Sequence, residues 1–261
     1  VRALVARRRQ GGASAPALFD TPDTPWNGAL SARRSFATTL LPLADCKRVK
    51  EAFGVTLNDV ALALVAGALR RQLVAHGGSA LRPLIASVPV AVADADAAPR
   101  LFGNRIGYFQ TALRSDLAGA AERLRETRVS TEAAKQELAL LGRETMSDWM
   151  EYLPGLPYTL VRRLQSRWRL ADLYPSPSNV IVSNVPGPRE PRFWSGTRMQ
   201  ELYSVGPLAE GIGLNVTIWS YCDQLGFGLL ACRKAIPDLS ELADALHAEL
   251  SELQAAAAGA G

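Results

Sequence analysis

The sequence predicts an α/β fold built on a mixed sheet flanked by helices. Two observations carry this expectation. Short runs of β-branched and apolar residues, bounded by Gly, Pro and Asn, alternate with longer stretches whose apolar residues recur at helical spacing. Their interleaving follows no regular βαβ repeat and carries no glycine-rich phosphate fingerprint, so the strands are not expected to run all parallel. With 261 residues, 48% of them hydrophobic, the chain can bury a sizeable core as one large or two small domains.

The elements follow in order. Residues 1–34 read as a linker or strap, because Gly11, Gly12, Pro16, Pro22, Pro25 and Gly28 interrupt any apolar period. Residues 35–254 form the folded lobe, and the alanine-rich end 255–261 reads as a flexible tail. Phe36 to Leu41 is strand-like and Ala44 to Ala52 a short helix before Gly54. Thr56 to Val74 is the clearest helix, stopped by Gly77-Gly78. Leu84 to Val92 is a strand whose Pro89 cannot donate to a ladder, which predicts an edge or a bulge. Gly103-Asn104-Arg105 leads into another strand through Phe109. Ser115 is placed to cap a long helix from Asp116 to about Met150, and Pro154 and Pro157 separate it from a second helical stretch at Tyr158 to Leu173. Strands should dominate from Asn179 to Cys232, with a hairpin turning near Asp223. Asp238 and Glu241 have capping-box spacing and open a last helix with Leu239, Leu242, Leu246, Leu250 and Leu253 on one face.

Composition excludes several classes. The longest apolar run, Val60 to Leu69, is about half the roughly 20 residues a membrane-spanning helix needs. Three cysteines fit a reducing, cytoplasmic setting, and Cys222 and Cys232 cannot bridge within one hairpin ladder. The net charge of +4 is modest, and no basic helix, aromatic sheet motif or zinc spacing accompanies it, so nucleic acid is not expected as a partner. The chain opens Val1-Arg2-Ala3-Leu4 without the layout of a signal peptide, and Val1 is not expected to be the start of the gene product.

Two segments stand out chemically. Asn179 to Pro188 is an apolar strand running into a turn with Pro186, Gly187 and Pro188, where pairing must stop and Gly187 permits either positive φ or a close backbone approach. In Thr56-Leu57-Asn58-Asp59, a capping box accounts for Thr56 and Asp59 but leaves Asn58 free to hold a substrate oxygen. The two histidines, His76 and His247, read as structural, since neither is followed four residues on by an Asp. No serine elbow, Walker loop or metal-binding spacing is present, and no metal or bound cofactor is expected. Trp149, Met150, Tyr152, Leu153, Leu156, Tyr158, Leu160, Trp168 and Leu170 mingle with Arg162, Arg163, Arg167 and Arg169. The mix fits a membrane-surface segment, or a helix pair packed on the core with its arginines solvated.

Taken together, Gly54-Val55-Thr56-Leu57-Asn58-Asp59-Val60, Gly67-Ala68-Leu69-Arg70-Arg71, Val88-Pro89-Val90, Gly103-Asn104-Arg105, Ser183-Asn184-Val185-Pro186-Gly187-Pro188 and Gly211 to Asp238 resemble the C-terminal half of the bacterial wax ester synthase / diacylglycerol acyltransferase family. The resemblance implies the C-terminal lobe of the two-lobed, chloramphenicol acetyltransferase-like fold of CoA-dependent acyltransferases. It implies transfer of a long-chain acyl group from acyl-CoA, as co-substrate, to diacylglycerol or a fatty alcohol, in triacylglycerol or wax ester synthesis. The general-base histidine of the family's His-His-x-x-x-Asp-Gly motif is expected in an N-terminal lobe, a partner this chain does not contain, so the chain alone should be inactive. Asn58 and Asp59 fall on the family's Asn-Asp pair. Asn104, Arg105, Ser183, Asn184, Pro186, Gly187 and Pro188 become candidate walls of a substrate and CoA tunnel. Cys232 falls where the family pattern leads one to expect an Asp. The implied location is cytoplasmic and peripheral, at an inner membrane or lipid-droplet surface. A non-catalytic lipid-binding or scaffolding protein on the same lobe is the alternative.

Overall fold

The computed structural model describes residues 14–17, 19–91, 106–141 and 155–259. Strand β1 (Arg34–Pro42) leads into helices α1 (Leu43–Phe53) and α2 (Leu57–Ala75), then β2 (Ile85–Ala91), β3 (Ile106–Ala112), α3 (Ala120–Leu141) and α4 (Gly155–Arg167). A 3-10 turn at Leu170–Asp172 precedes β4 (Val180–Val185). A miniature hairpin of β5 (Phe193–Trp194) and β6 (Thr197–Arg198) follows, then β7 (Leu214–Tyr221), β8 (Gln224–Cys232) and α5 (Ser240–Ala258).

Six strands form one mixed sheet in the order β1-β8-β7-β4-β2-β3. β2, β4 and β7 run parallel to one another, and the remaining pairings are antiparallel. Side chains alternate across the sheet. Val180, Val182, Val216, Ile218, Phe227 and Leu229 therefore share one face, and they join α2 and α5 in a single buried core. α2 is its centre, buried from Val60 through Leu69, because its alanines and Gly67 let neighbouring helices approach closely. The four helices α1, α2, α3 and α5 pack together on this face. The opposite face of β8 is crossed instead by an extended segment: a Cβ on Gly226 would lie 2.6 Å from the Leu202 carbonyl oxygen, and one on Gly228 would overlap that of Ser204.

Several expectations are corrected. Pro89 sits on an interior strand, not an edge. Ile85 donates its N–H to the Asn179 side chain on the β4 side, so by alternation the nitrogen of Pro89 faces β4 too. The β2–β4 ladder covers only Ala86 and Ser87 and stops there, where the next donor on that side is missing. Ser115 does not cap a helix: its buried Oγ accepts from the Leu84 N–H at 2.9 Å, and α3 begins at Ala120. The expected far end of that helix lies outside the described residues. The Asp238–Glu241 capping box does not form; Asp238 Oδ1 accepts from the Ser240 N–H, while Glu241 turns to His76. The tail is helical as far as Ala258. α4 has no buried residue, so it is not the packed helix of the alternative reading.

The strap is stitched into the core. Trp26 is 3% exposed and donates from Nε1 to the Asn179 carbonyl at 3.0 Å, while Asn27 donates to Ser178 and Gly211 carbonyls. Asn179 in turn donates to the Pro22 carbonyl and to Asn27 Oδ1, both at 2.7 Å.

Candidate functional site

Because β2, β4 and β7 are parallel, their carboxyl ends lie at the same edge of the sheet, where the β2–β4 ladder stops after its two paired residues. In open α/β sheets ligands bind outside the carboxyl ends of the strands, and that end of the sheet, beyond the β2–β4 pairing, is the candidate crevice. Helix α2 points its amino end at this crevice: Asn184, next to last in β4, donates from Nδ2 to Oδ1 of Asn58 at 3.4 Å. Two motifs 126 residues apart in sequence therefore meet.

The helix start is held rigidly. Thr56 Oγ1 accepts from the Asp59 N–H, and Asp59 Oδ2 accepts from both the Thr56 N–H (2.9 Å) and its hydroxyl (2.7 Å). Asp59 is 2% exposed, and its other oxygen, Oδ1, is buried without a partner. Arg128 of α3 donates to the carbonyl of Gly54, whose φ of 60° closes α1, and so ties α3 to the loop before α2. With its oxygen turned to Asn184, Asn58 keeps its amide N–H groups for another acceptor, at the end of a helix whose dipole favours negative charge.

The Pro-Gly turn is fixed on the other side, against β7. Gly187 donates its N–H to Ser220 Oγ at 3.0 Å, and Pro188 accepts from the Cys222 N–H at 3.0 Å. A Cβ on Gly187 would overlap the Ser220 carbonyl oxygen, so close approach, and not positive φ, is what glycine supplies here. The Tyr221 hydroxyl then clamps the base of the β5–β6 hairpin, accepting from the Arg192 N–H and donating to the Met199 carbonyl, both at 2.9 Å. Its two-residue loop, Ser195-Gly196, has positive φ at both positions and leaves Phe193 and Trp194 exposed.

Of the residues singled out from sequence, Asn58, Asp59 and Asn184 come together. Ser183 is directed to the opposite face of the sheet from Asn184. Pro186, Gly187 and Pro188 leave the crevice toward β7, and Asn104 and Arg105 lie outside the described residues. Ser220 and Tyr221 escaped sequence reasoning; the only signal was that a glycine between two prolines needs a close partner. His76 pairs with Glu241 at 2.8 Å at the far end of α2, and His247 bonds Thr39 Oγ1 at 2.7 Å, both on the surface. Among the described residues, therefore, no histidine flanks the crevice, and no group of three or more His, Cys, Asp or Glu could hold a metal ion. The three cysteines are free. Among the described residues no single helix is long and apolar enough to cross a membrane; α1 and α2 qualify only as a pair bent by 103°, and α2 is core.

Comparison with known proteins bears on this geometry. The family described as the WS/DGAT C-terminal domain matches residues 102–254, and that described as the wax ester synthase/diacylglycerol acyltransferase catalytic domain matches residues 1–61. A Mycobacterium tuberculosis (strain H37Rv) protein provisionally named a diacylglycerol O-acyltransferase is 37% identical over 254 residues, covering 97% of this chain and 49% of its own. The solved wax ester synthase/diacylglycerol acyltransferase from Marinobacter aquaeolei VT8 superposes with a TM-score of 0.71 at 30% identity, over 98% of this chain and 56% of that one. The epimerization domain of tyrocidine synthetase B shares the fold alone, with a TM-score of 0.53 at 12% identity, over 99% of this chain and 57% of that one. The chain thus spans about half the length of the proteins it matches.

Proposed function

From the premise that the chain belongs to the wax ester synthase/diacylglycerol acyltransferase family, we propose that it forms the C-terminal lobe of an O-acyltransferase that moves a long-chain acyl group from acyl-CoA to diacylglycerol or a fatty alcohol. The observation that carries this reading is the contact between Asn184 and Asn58 at the carboxyl ends of the parallel strands. It joins the family's Asn-Asp pair to the strand before its Pro-Gly turn, with spare amide donors beside a helix amino end.

In the proposed reaction a histidine of a second lobe takes the proton of the acceptor hydroxyl. The oxygen attacks the thioester carbonyl, the negative charge passes through a tetrahedral oxyanion, and the carbon–sulfur bond breaks to release CoA thiolate. Asn58 would donate to a carbonyl or amide oxygen of the bound acyl-CoA, and the closely packed turn at Gly187 would form a rigid wall. In this reading the second lobe would cover exposed Phe193, Trp194 and Val205.

Contact with a lipid surface belongs to the same reading. α4 exposes Leu156, Leu160 and Val161, and Trp168 follows it, beside Arg162, Arg163 and Arg167; residues 149–153 of that segment lie outside the described residues. Flotation with anionic vesicles should fall when Leu156, Leu160 and Trp168 are changed to Ser, and unchanged flotation would remove this part. The acyl-transfer reading is tested by combining the chain with a histidine-bearing N-terminal lobe and following thiol release from palmitoyl-CoA on addition of a long-chain alcohol or diacylglycerol. Asn58→Ala should lower turnover by about 10-fold or more, as expected for a lost donor to developing charge, with little change in unfolding midpoint. Equal losses of both would leave Asn58 as a helix-end residue only. The alternative of a non-catalytic binding lobe predicts no thiol release with any such partner.

A further inference from the structure

At the end of α2 remote from the crevice lies a second concavity, of about 410 Å³. Fourteen residues of helix separate Asn58 from Gln72 there, or about 21 Å along the axis. Its walls are apolar: Pro25 and Trp26 of the strap, Leu73 of α2, and Ile236 and Pro237 before α5. A volume of this size falls in the ordinary range of small-molecule sites, about 300–1,000 Å³.

One polar side chain reaches its inner wall. Gln72 is 8% exposed, and among the described residues its carboxamide has no hydrogen-bond partner. The carboxamide is not sealed inside the protein but open to the cavity, so both its donor and its acceptor are available to a molecule that enters. At the rim stand the His76–Glu241 pair and Asp238, whose carboxyl is held below the usual range by the Ser240 backbone N–H. We propose that this cavity is a binding site for a short aliphatic primary alcohol, its hydroxyl on the Gln72 carboxamide and its chain against Leu73, Ile236 and Pro237.

The chemistry selects that class. A hydroxyl both donates and accepts, and so matches the two halves of one carboxamide. A carboxylate entering would face Asp238 and Glu241 at the rim. An ammonium at the inner wall would lose its water for a single acceptor, which does not compensate its burial. The site is separate from the crevice and stands whether or not the chain takes part in acyl transfer.

The test is a calorimetric and ligand-observed NMR titration of the whole chain with n-hexanol, n-hexylamine and hexanoate, without acyl-CoA. Saturable binding of n-hexanol is expected, about 10-fold or more tighter than either charged analogue. Gln72→Leu should weaken n-hexanol about 3–10-fold, the worth of one hydrogen bond, without lowering the unfolding midpoint, since the amide it removes is unpaired. Ala235→Phe, at a half-buried lining position, should block the cavity and abolish binding. The proposal is overturned if n-hexanol does not saturate, if n-hexylamine or hexanoate binds as tightly, or if Gln72→Leu leaves the affinity unchanged.

Discussion

The pairing of Arg123 with Glu249 offers the sharpest stability prediction. Both side chains are almost wholly buried, 2% and 1% exposed, where α3, α2 and α5 meet. Arg123 donates to Glu249 Oε1 and to the Leu117 and Ala118 carbonyls. The carboxylate lies directly over Gly67, where a Cβ would overlap it, and Arg71 approaches its other oxygen only to 3.7 Å. Burial pushes the Glu249 carboxyl above its usual range, more than Arg123 pulls it down. Replacing Arg123 by Met leaves the buried carboxylate with no hydrogen-bond donor and only Arg71 at 3.7 Å, so it is expected to take up a proton to stay inside. At pH 7, protonating a carboxyl with an ordinary pKa of about 4.3 costs about 3.7 kcal/mol, at about 1.36 kcal/mol per unit; at pH 5 the same step costs about 1 kcal/mol. The first figure agrees with the roughly 3–5 kcal/mol typical of a broken buried pair. The sign is fixed by linkage: the variant's folded state holds the proton more tightly than its unfolded state, so its stability is greatest below the unfolded pKa and is lost as pH rises toward the folded one. Urea unfolding at pH 5 and pH 7 measures this. Arg123→Met should be far less destabilising at pH 5, and Arg123→Met with Glu249→Leu should recover most of the loss at pH 7. A penalty equal at both pH values, or a double variant as unstable as the single, would refute the reasoning.

Other outcomes follow from the same geometry. Gly187→Ala should destabilise by about 3 kcal/mol or more, because the clash is with backbone that cannot swing away; a midpoint unchanged in urea would contradict the close approach. Thr56→Ala should cost about 1 kcal/mol through loss of the cap and of one Asp59 contact, readable in the same assay. Gly67→Ala should weaken the Arg123–Glu249 seat and lower the thermal midpoint, although alanine is the better helix former. Burial raises the Cys46 thiol to about 12, so in the native chain at pH 8 a thiol reagent should leave Cys46 unmodified by mass spectrometry until denaturant is added.

How much of this was legible in the sequence depended on whether the signal was local. The Thr56 box was readable because cap and partner are three residues apart and nothing else competes for them. Asp238 and Glu241 have the same spacing, but Glu241 found His76 across the fold, and Ser115 was taken by the Leu84 N–H. Pro89 announced a ladder break but not its side, which depends on the direction of the Ile85 N–H. The strap, residues 1–34 in sequence, looked like linker because its glycines and prolines break any apolar period, yet Trp26 within it is core. For the site, family motifs pointed to Asn58 and Asn184 separately. Their contact is a tertiary fact, as are the Ser220 and Tyr221 clamps on the turn and hairpin. The β5–β6 hairpin, two residues a strand, is too short to leave a period.

The central proposal, that Asn58 and Asn184 act as one unit in acyl transfer, is tested most directly by a double-mutant cycle on turnover. Asn58→Ala, Asn184→Ala and the double variant, each joined to a histidine-bearing N-terminal lobe, are compared for thiol release from palmitoyl-CoA with a long-chain alcohol. The account predicts a coupling of at least about 0.5 kcal/mol, the double variant losing clearly less than both singles combined. Strictly additive losses, or single variants with unchanged turnover, would contradict it.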